Sequence, residues 1–131
     1  MGLVKYLLDT CTFIWLALPQ GKLSKRASEI INNPDNALYI SDLSAWEISI
    51  KYAAGKLPLP DSPRHWLRER MDFYQLNSIP IEYDAVIFSG ELPLIHADPF
   101  DRLLAAQAIT LGLIIISPDT PLSLLGASRQ W

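Results

Sequence analysis

The chain of 131 residues is predicted to fold as an α/β protein, a central parallel sheet covered on both faces by helices. Three observations predict it. Short apolar runs of strand length alternate with longer stretches at helical spacing, in the order β-α-α-β-α-α-β-α-α-β. The run Leu113 to Ile116 is unbroken and apolar, the pattern of a strand buried on both sides. Four acidic residues, Asp9, Glu47, Asp101 and Asp119, follow or flank such segments. A parallel sheet would gather them at one edge, at the carboxyl ends of its strands, where ligands of open α/β sheets bind.

Val4 to Leu8 reads as a short buried strand that ends at Asp9-Thr10-Cys11-Thr12, and Phe13 to Leu18 continues as a helix stopped near Pro19 and Gly21. Lys25 to Asn32 is a second helix with Ser24 as N-cap, and Asn33 to Asn36 is a turn before the strand Ala37 to Ile40. Ser41 or Asp42 caps a helix running to Ala54, where Leu43, Trp46, Ile50 and Ala54 share one stripe and Gly55 ends the element. Leu57 to Pro63 is a proline-rich connector, and Pro63 to Leu76 is the next helix. Ile79-Pro80-Ile81 is a short edge strand, because Pro80 has no N–H for a ladder. Tyr83 to Leu92 is helical. Asp98-Pro99 opens a long helix through Leu111, stopped by Gly112, and the strand Leu113 to Ile116 leads straight into Ser117-Pro118-Asp119.

The bulk composition narrows the function. Half the residues are hydrophobic and the mean hydropathy is +0.15, which suits a folded core and not a disordered chain. The length suits one domain, residues 1–131. No apolar run reaches membrane-spanning length, so no membrane role is expected. The first residues do not resemble a signal peptide, and Tyr6 stands where a myristoylation signal needs Ser or Thr. The single cysteine, Cys11, forbids an internal disulfide and fits a reducing cytoplasm. One Cys with the separated His65 and His96 does not make a usual zinc site. The net charge of −3 argues against nucleic-acid binding driven by overall charge. Lys51, Lys56, Arg64, Arg68 and Arg70 form either a local surface for a phosphate backbone or an ordinary solvated face.

Each acid has an ordinary reading beside the functional one. Asp9 can be a helix N-cap, and Glu47 a surface partner of Lys51 one turn on. In Asp98-Pro99-Phe100-Asp101, Asp98 suits an N-cap and Asp101 a first turn favoured by the helix dipole. Asp119, between Pro118 and Pro121, can form an Asx turn. The functional reading rests on convergence. Carboxylates held together repel, and a hard divalent cation such as Mg²⁺ or Mn²⁺ relieves that repulsion. Such a site suits metal-assisted phosphodiester chemistry. No Ser-His-Asp set and no glycine-rich phosphate loop is evident.

At these residues the chain resembles the PIN-domain family, and within it the VapC-type toxins of prokaryotic toxin–antitoxin pairs. The matching segments are Leu7-Leu8-Asp9-Thr10 with Phe13-Ile14-Trp15-Leu16; Ser44-Ala45-Trp46-Glu47-Ile48 through Lys51 to Gly55-Lys56-Leu57; His96-Ala97-Asp98-Pro99-Phe100-Asp101-Arg102-Leu103-Leu104; and Ser117-Pro118-Asp119. The resemblance implies a three-layer α/β/α sandwich and a Mg²⁺- or Mn²⁺-dependent endoribonuclease that cleaves RNA in the cytoplasm, with a cognate antitoxin as partner. It matches Asp9, Glu47, Asp101 and Asp119 to the family's acidic quartet. Asp9 and Asp101 are the expected main metal ligands, with Glu47, Asp119 and Asp98 as further ones. Thr10, Thr12 and Ser117 are expected to hold waters or a carboxylate around them. Arg102 is expected either at a substrate phosphate or in a structural salt bridge. An apolar patch on so small a domain also suits a homodimer. Two rivals stand beside this reading. One is a PIN-like binding module without catalysis. The other is an aspartyl-phosphate phosphohydrolase with Asp9 as nucleophile, although the second Asp which that chemistry wants two residues on is here Cys11.

Overall fold

A computed structural model describes residues 4–131; Met1 and Gly2, read above for a lipidation signal, lie outside the described residues. In chain order the elements are β1 (Lys5–Leu8), α1 (Thr10–Ala17), α2 (Lys25–Asn32), β2 (Ala37–Ser41), α3 (Asp42–Ala53), α4 (Pro63–Phe73), β3 (Asn77–Ile79), α5 (Tyr83–Glu91), α6 (Pro99–Leu111), β4 (Ile114–Ile116), α7 (Pro121–Leu124) and β5 (Arg129–Gln130). The strands form one sheet in the order β3-β2-β1-β4-β5, and every pairing is parallel. β1 is central: Leu8 stands level with Ile40 of β2 on one side and Ile116 of β4 on the other.

Strand side chains alternate between faces, and the alternation divides the interior into two cores. Leu7 and Ile115 point to one face and meet α6 through Leu104, Ala105 and Ala108, with Leu92 after α5 and Leu122 of α7. Tyr6, Leu8, Ile40 and Ile116 point to the other and meet Phe13 of α1, Ile30 of α2 and Trp66 of α4. The result is the expected three-layer α/β/α arrangement. Leu7, Leu8 and Ile115 are fully buried, and each such side chain contributes about 1.5–3 kcal/mol.

Some boundaries differ from the sequence expectation. α1 starts at Thr10, not Phe13, because the Asp9 side chain caps it at once. α4 stops at Phe73, not Leu76: Gln75 adopts a left-handed conformation (φ 53°), and Leu76 N–H closes the end by donating to the Met71 carbonyl. Gly112 (φ 67°) ends α6 in the same manner, with Leu113 N–H on the Ala108 carbonyl. The short edge strand is 77–79 and not 79–81, since the ladder ends before Pro80.

The stripe expected on α3 is corrected. Leu43 is buried in one core and Ile48 in the other, whereas Trp46 (55 % exposed), Ile50 and Ala54 face outward. α3 serves both cores, so no single apolar stripe describes it.

Candidate active site

β1 delivers Asp9 to the carboxyl end of the sheet. Its backbone N–H donates to the Ile116 carbonyl at 3.3 Å, which carries the β1–β4 pairing one residue past the strand. Its side chain then caps α1: Thr12 N–H donates to Oδ1 at 2.9 Å. Ser117 Oγ donates to Oδ2, and the Cys11 thiol reaches both oxygens at 3.3 and 3.4 Å. Asp9 is therefore an N-cap and a wall of the cavity described below. Burial pushes its pKa above the ordinary carboxylate value, and the hydrogen bonds from Ser117, Thr12 and Cys11 pull against that rise. Burial first, and then the neighbouring Asp9, push the Cys11 thiol well above its usual range. Cys11 therefore stays protonated and serves as a donor to Asp9.

Ser117 links two acids. While its hydroxyl donates to Asp9, its oxygen accepts from Asp119 N–H at 3.0 Å. That brings Asp119 beside Asp9, and Asp9, Cys11 and Asp119 offer ligand atoms all within 4.8 Å of one another. Glu47, on α3, pairs with Lys51 one turn on, at 3.0 Å. Asp101, in the first turn of α6, takes a hydrogen bond from His96 Nε2 at 2.8 Å. Burial raises its pKa; the His96 hydrogen bond opposes the rise, and the charges of Asp98 and Asp119 add to it.

Asp9, Glu47, Asp101 and Asp119 line one cavity of about 220 Å³, with Asp98, Lys51 and Phe100 also on its wall. The fold thus brings together all four acids of the sequence reading. Asp98 is at the rim, exposed, and is engaged as the cap of α6: its Oδ1 accepts from Phe100 N–H at 2.8 Å and from Asp101 N–H at 3.2 Å.

One expected role is corrected, that of Arg102. Arg102 meets neither the cavity nor a salt-bridge partner among the described residues. Its buried guanidinium donates to the carbonyls of Leu92, Pro93 and His96 at 2.7–3.0 Å, at the C-terminal end of α5. A positive charge is favoured there because a helix C-terminus carries unpaired carbonyls. The Thr10 hydroxyl bonds Ser44 Oγ at 2.9 Å, and the Thr12 hydroxyl bonds the Ile116 carbonyl at 2.8 Å. These two hydroxyls fasten α1 to α3 and to β4, while Ser117 Oγ and the Thr12 side chain both favour the charged Asp9 carboxylate.

Other features escaped the sequence reading. Trp46 and Phe100 pack ring against ring, tilted by 47°, at 5.1 Å between centroids, with Phe100 on the cavity wall. Trp46 also lines a neighbouring groove of about 630 Å³ between α3 and α4, with Leu67, Met71, Arg64 and Arg68, and with Asp42 and Asp72. The five mid-chain basic residues therefore make no single patch. Lys51 faces the cavity, Arg64 and Arg68 face the groove, and Arg70 stands over the Phe73 ring at 5.0 Å. His96 carried no signal beyond its place before the Asp98-Pro99-Phe100-Asp101 motif.

The sequence matches the family described as PIN domain over residues 6–126. No curated protein matches. Among solved structures, the fold is similar to VapBC2 from Rickettsia felis bound to a DNA fragment from its promoter (TM-score 0.69, 17% identity, 97% of this chain and 98% of that one). It is similar to the DNA-bound VapBC from Salmonella typhimurium (TM-score 0.69, 21% identity, 98% of each chain). It is also similar to VapBC-5 from Mycobacterium tuberculosis, a member of the VapBC family of toxin-antitoxin systems (TM-score 0.61, 18% identity, 97% and 93%).

Proposed function

This chain belongs to the PIN-domain family, and from that premise we propose that it is a Mg²⁺- or Mn²⁺-dependent endoribonuclease, the toxin of a toxin–antitoxin pair. The observation that carries the proposal is the convergence of Asp9, Glu47, Asp101 and Asp119 on one cavity at the carboxyl end of β1.

The donor set fits a hard divalent cation. It consists of carboxylate oxygens, with a protonated thiol as the single sulfur near it. Asp9 and Asp101 resist ionisation where they stand, and a cation compensates the charge that burial disfavours. Asp9 and Asp101 would be the main ligands, with Asp119, held beside Asp9, and Glu47 completing the set. Bound there, a divalent cation supplies Lewis acidity and neutralises charge at the scissile phosphate.

The chain's own residues supply the remainder. Thr12 N–H, Ser117 and Cys11 fix the Asp9 carboxylate before substrate arrives. Lys51 brings a positive charge to an otherwise acidic wall, where a phosphate needs one. The exposed Trp46 ring, packed at a tilt against Phe100, gives an unpaired base a surface to stack on at the mouth, and Arg64 and Arg68 lie beyond it in the groove. Stacking followed by arginines suits a single-stranded substrate, and this supports RNA in unpaired form. The likeness to structures of toxin–antitoxin systems supports an antitoxin as partner. Outward-facing Trp46 and Ile50 fit a second apolar contact, to the antitoxin or to another copy of the chain. No described helix is long and apolar enough to cross a membrane, and RNA as substrate puts the activity in the cytoplasm.

The test compares wild type with Asp9→Asn on total tRNA, rRNA fragments and single-stranded oligomers, each with Mn²⁺, Mg²⁺ or EDTA. Cleavage by wild type that disappears in EDTA and in the variant is the expected result. Equal cleavage by both would remove Asp9 from the site. Mn²⁺ binding with no cleavage of any RNA would favour the binding module.

A further inference from the structure

We propose that His96 is a positioning residue for the Asp101 carboxylate and that Arg102 is the clamp that aims it, an inference that rests on reading the cavity as a cation-dependent nuclease site. His96 lies outside the cavity lining, in a separate hollow with Gly90, Leu94 and Arg102. Its ring approaches Asp101 from outside the cavity, with Nε2 at 2.8 Å from Oδ2. Both side chains are about three-quarters covered. No donor among the described residues engages the second oxygen, Oδ1.

Two consecutive residues of α6 hold this one histidine. Asp101 accepts from its ring, and Arg102 donates to its backbone carbonyl at 3.0 Å. The same guanidinium also donates to Leu92 and Pro93, so it fixes the start of the α5–α6 loop as well as the residue that carries the ring. Without that clamp, Leu94 (90 % exposed) and Ile95 have little packing to hold the loop. Asp101 needs such a partner. Asp98 and Asp119 stand close enough to oppose its charge, and a carboxylate free to rotate is a poorer ligand than one whose orientation is already set. The His96 hydrogen bond restrains that rotation.

The experiment measures Mn²⁺ affinity by titration calorimetry, without RNA, for wild type, His96→Phe and His96→Gln, with thermal melting of each. His96→Phe keeps a ring and loses the donor; His96→Gln keeps an N–H near the same reach. The expected result is a loss of Mn²⁺ affinity of about tenfold or more in His96→Phe, most of it restored in His96→Gln, at equal melting temperatures. Unchanged affinity in His96→Phe would overturn the proposal. So would tighter binding, which would make His96 a counter-ion competing with the cation, or equal weakness of both variants. RNA cleavage separates the two levels. Wild type that binds Mn²⁺ but cleaves nothing removes the nuclease reading and leaves the positioning role to the affinities. Wild type that binds no Mn²⁺ overturns both.

Discussion

Ser117 and Asp9 lie 108 residues apart in the chain and share a buried hydrogen bond at the ends of adjacent strands. The bond joins the first acid of the site to the segment that carries the last, since Ser117 also receives the Asp119 N–H. Asp9 thus meets donors on several sides and still titrates above its ordinary value because it is buried.

That rise fixes a pH dependence. Unfolded, Asp9 titrates near the ordinary value of 3.8; folded, it titrates higher. Its contribution to stability is therefore fully present below the unfolded value and is lost as pH rises through the folded one. Asp101 acts in the same direction. In EDTA, the melting temperature of wild type is expected to fall relative to that of Asp9→Asn as pH rises from about 4 to about 8. Asn keeps an acceptor for Thr12 N–H, so the cap survives. Parallel melting profiles would remove Asp9 as the source.

Asp98 and Asp101 separate by role. Asp98→Ala should cost about 1 kcal/mol through loss of the α6 cap and retain most Mn²⁺ binding. Asp101→Asn should lose binding at little cost to the fold. With Mn²⁺ at a hundredfold excess over Kd, wild type and Asp98→Ala should melt roughly 10 °C higher than without it, and Asp101→Asn should not. A Mn²⁺ shift that survives in Asp101→Asn and disappears in Asp98→Ala would reverse the roles.

Trp46→Ala tests the stacking surface. Single-stranded RNA should bind about 1–3 kcal/mol more weakly, seen as a raised KM, while kcat and Mn²⁺ affinity hold. An unchanged KM would take the Trp46–Phe100 pair off the substrate's path.

Arg102→Ala leaves three carbonyls at the end of α5 without their donor. The expected loss is about 3 kcal/mol, read as a lower urea midpoint with an unchanged slope. Arg102→Lys should recover only part, because an ammonium lacks the planar fork that spans Leu92, Pro93 and His96. A midpoint equal to wild type would show the clamp to be dispensable for folding.

The sheet and the acids were legible because their signals are local. β1, β2 and β4 are short apolar runs; Asp9 follows β1 directly and Asp119 comes three residues after β4. Glu47 was legible by motif and not by periodicity, since α3 serves two cores and its apolar residues fall on opposite sides. Arg102 was misread because its partners are backbone carbonyls, which every residue has and no sequence pattern marks. α7 and β5 went unseen for another reason: four and two residues are too short for periodicity to register. β5 exists because Arg129 and Gln130 pair with Ile115 and Ile116, a contact the sheet creates.

The strand order has a consequence for synthesis. β1 is made about a hundred residues before one of its two neighbours, β4. A chain on the ribosome that has emerged only as far as α5 contains Asp9 and Glu47 but neither Asp101 nor Asp119. Its first strand still has an open edge. The acidic cavity cannot form until Asp119 has been translated. Any chemistry that needs the four acids together therefore waits for Asp119.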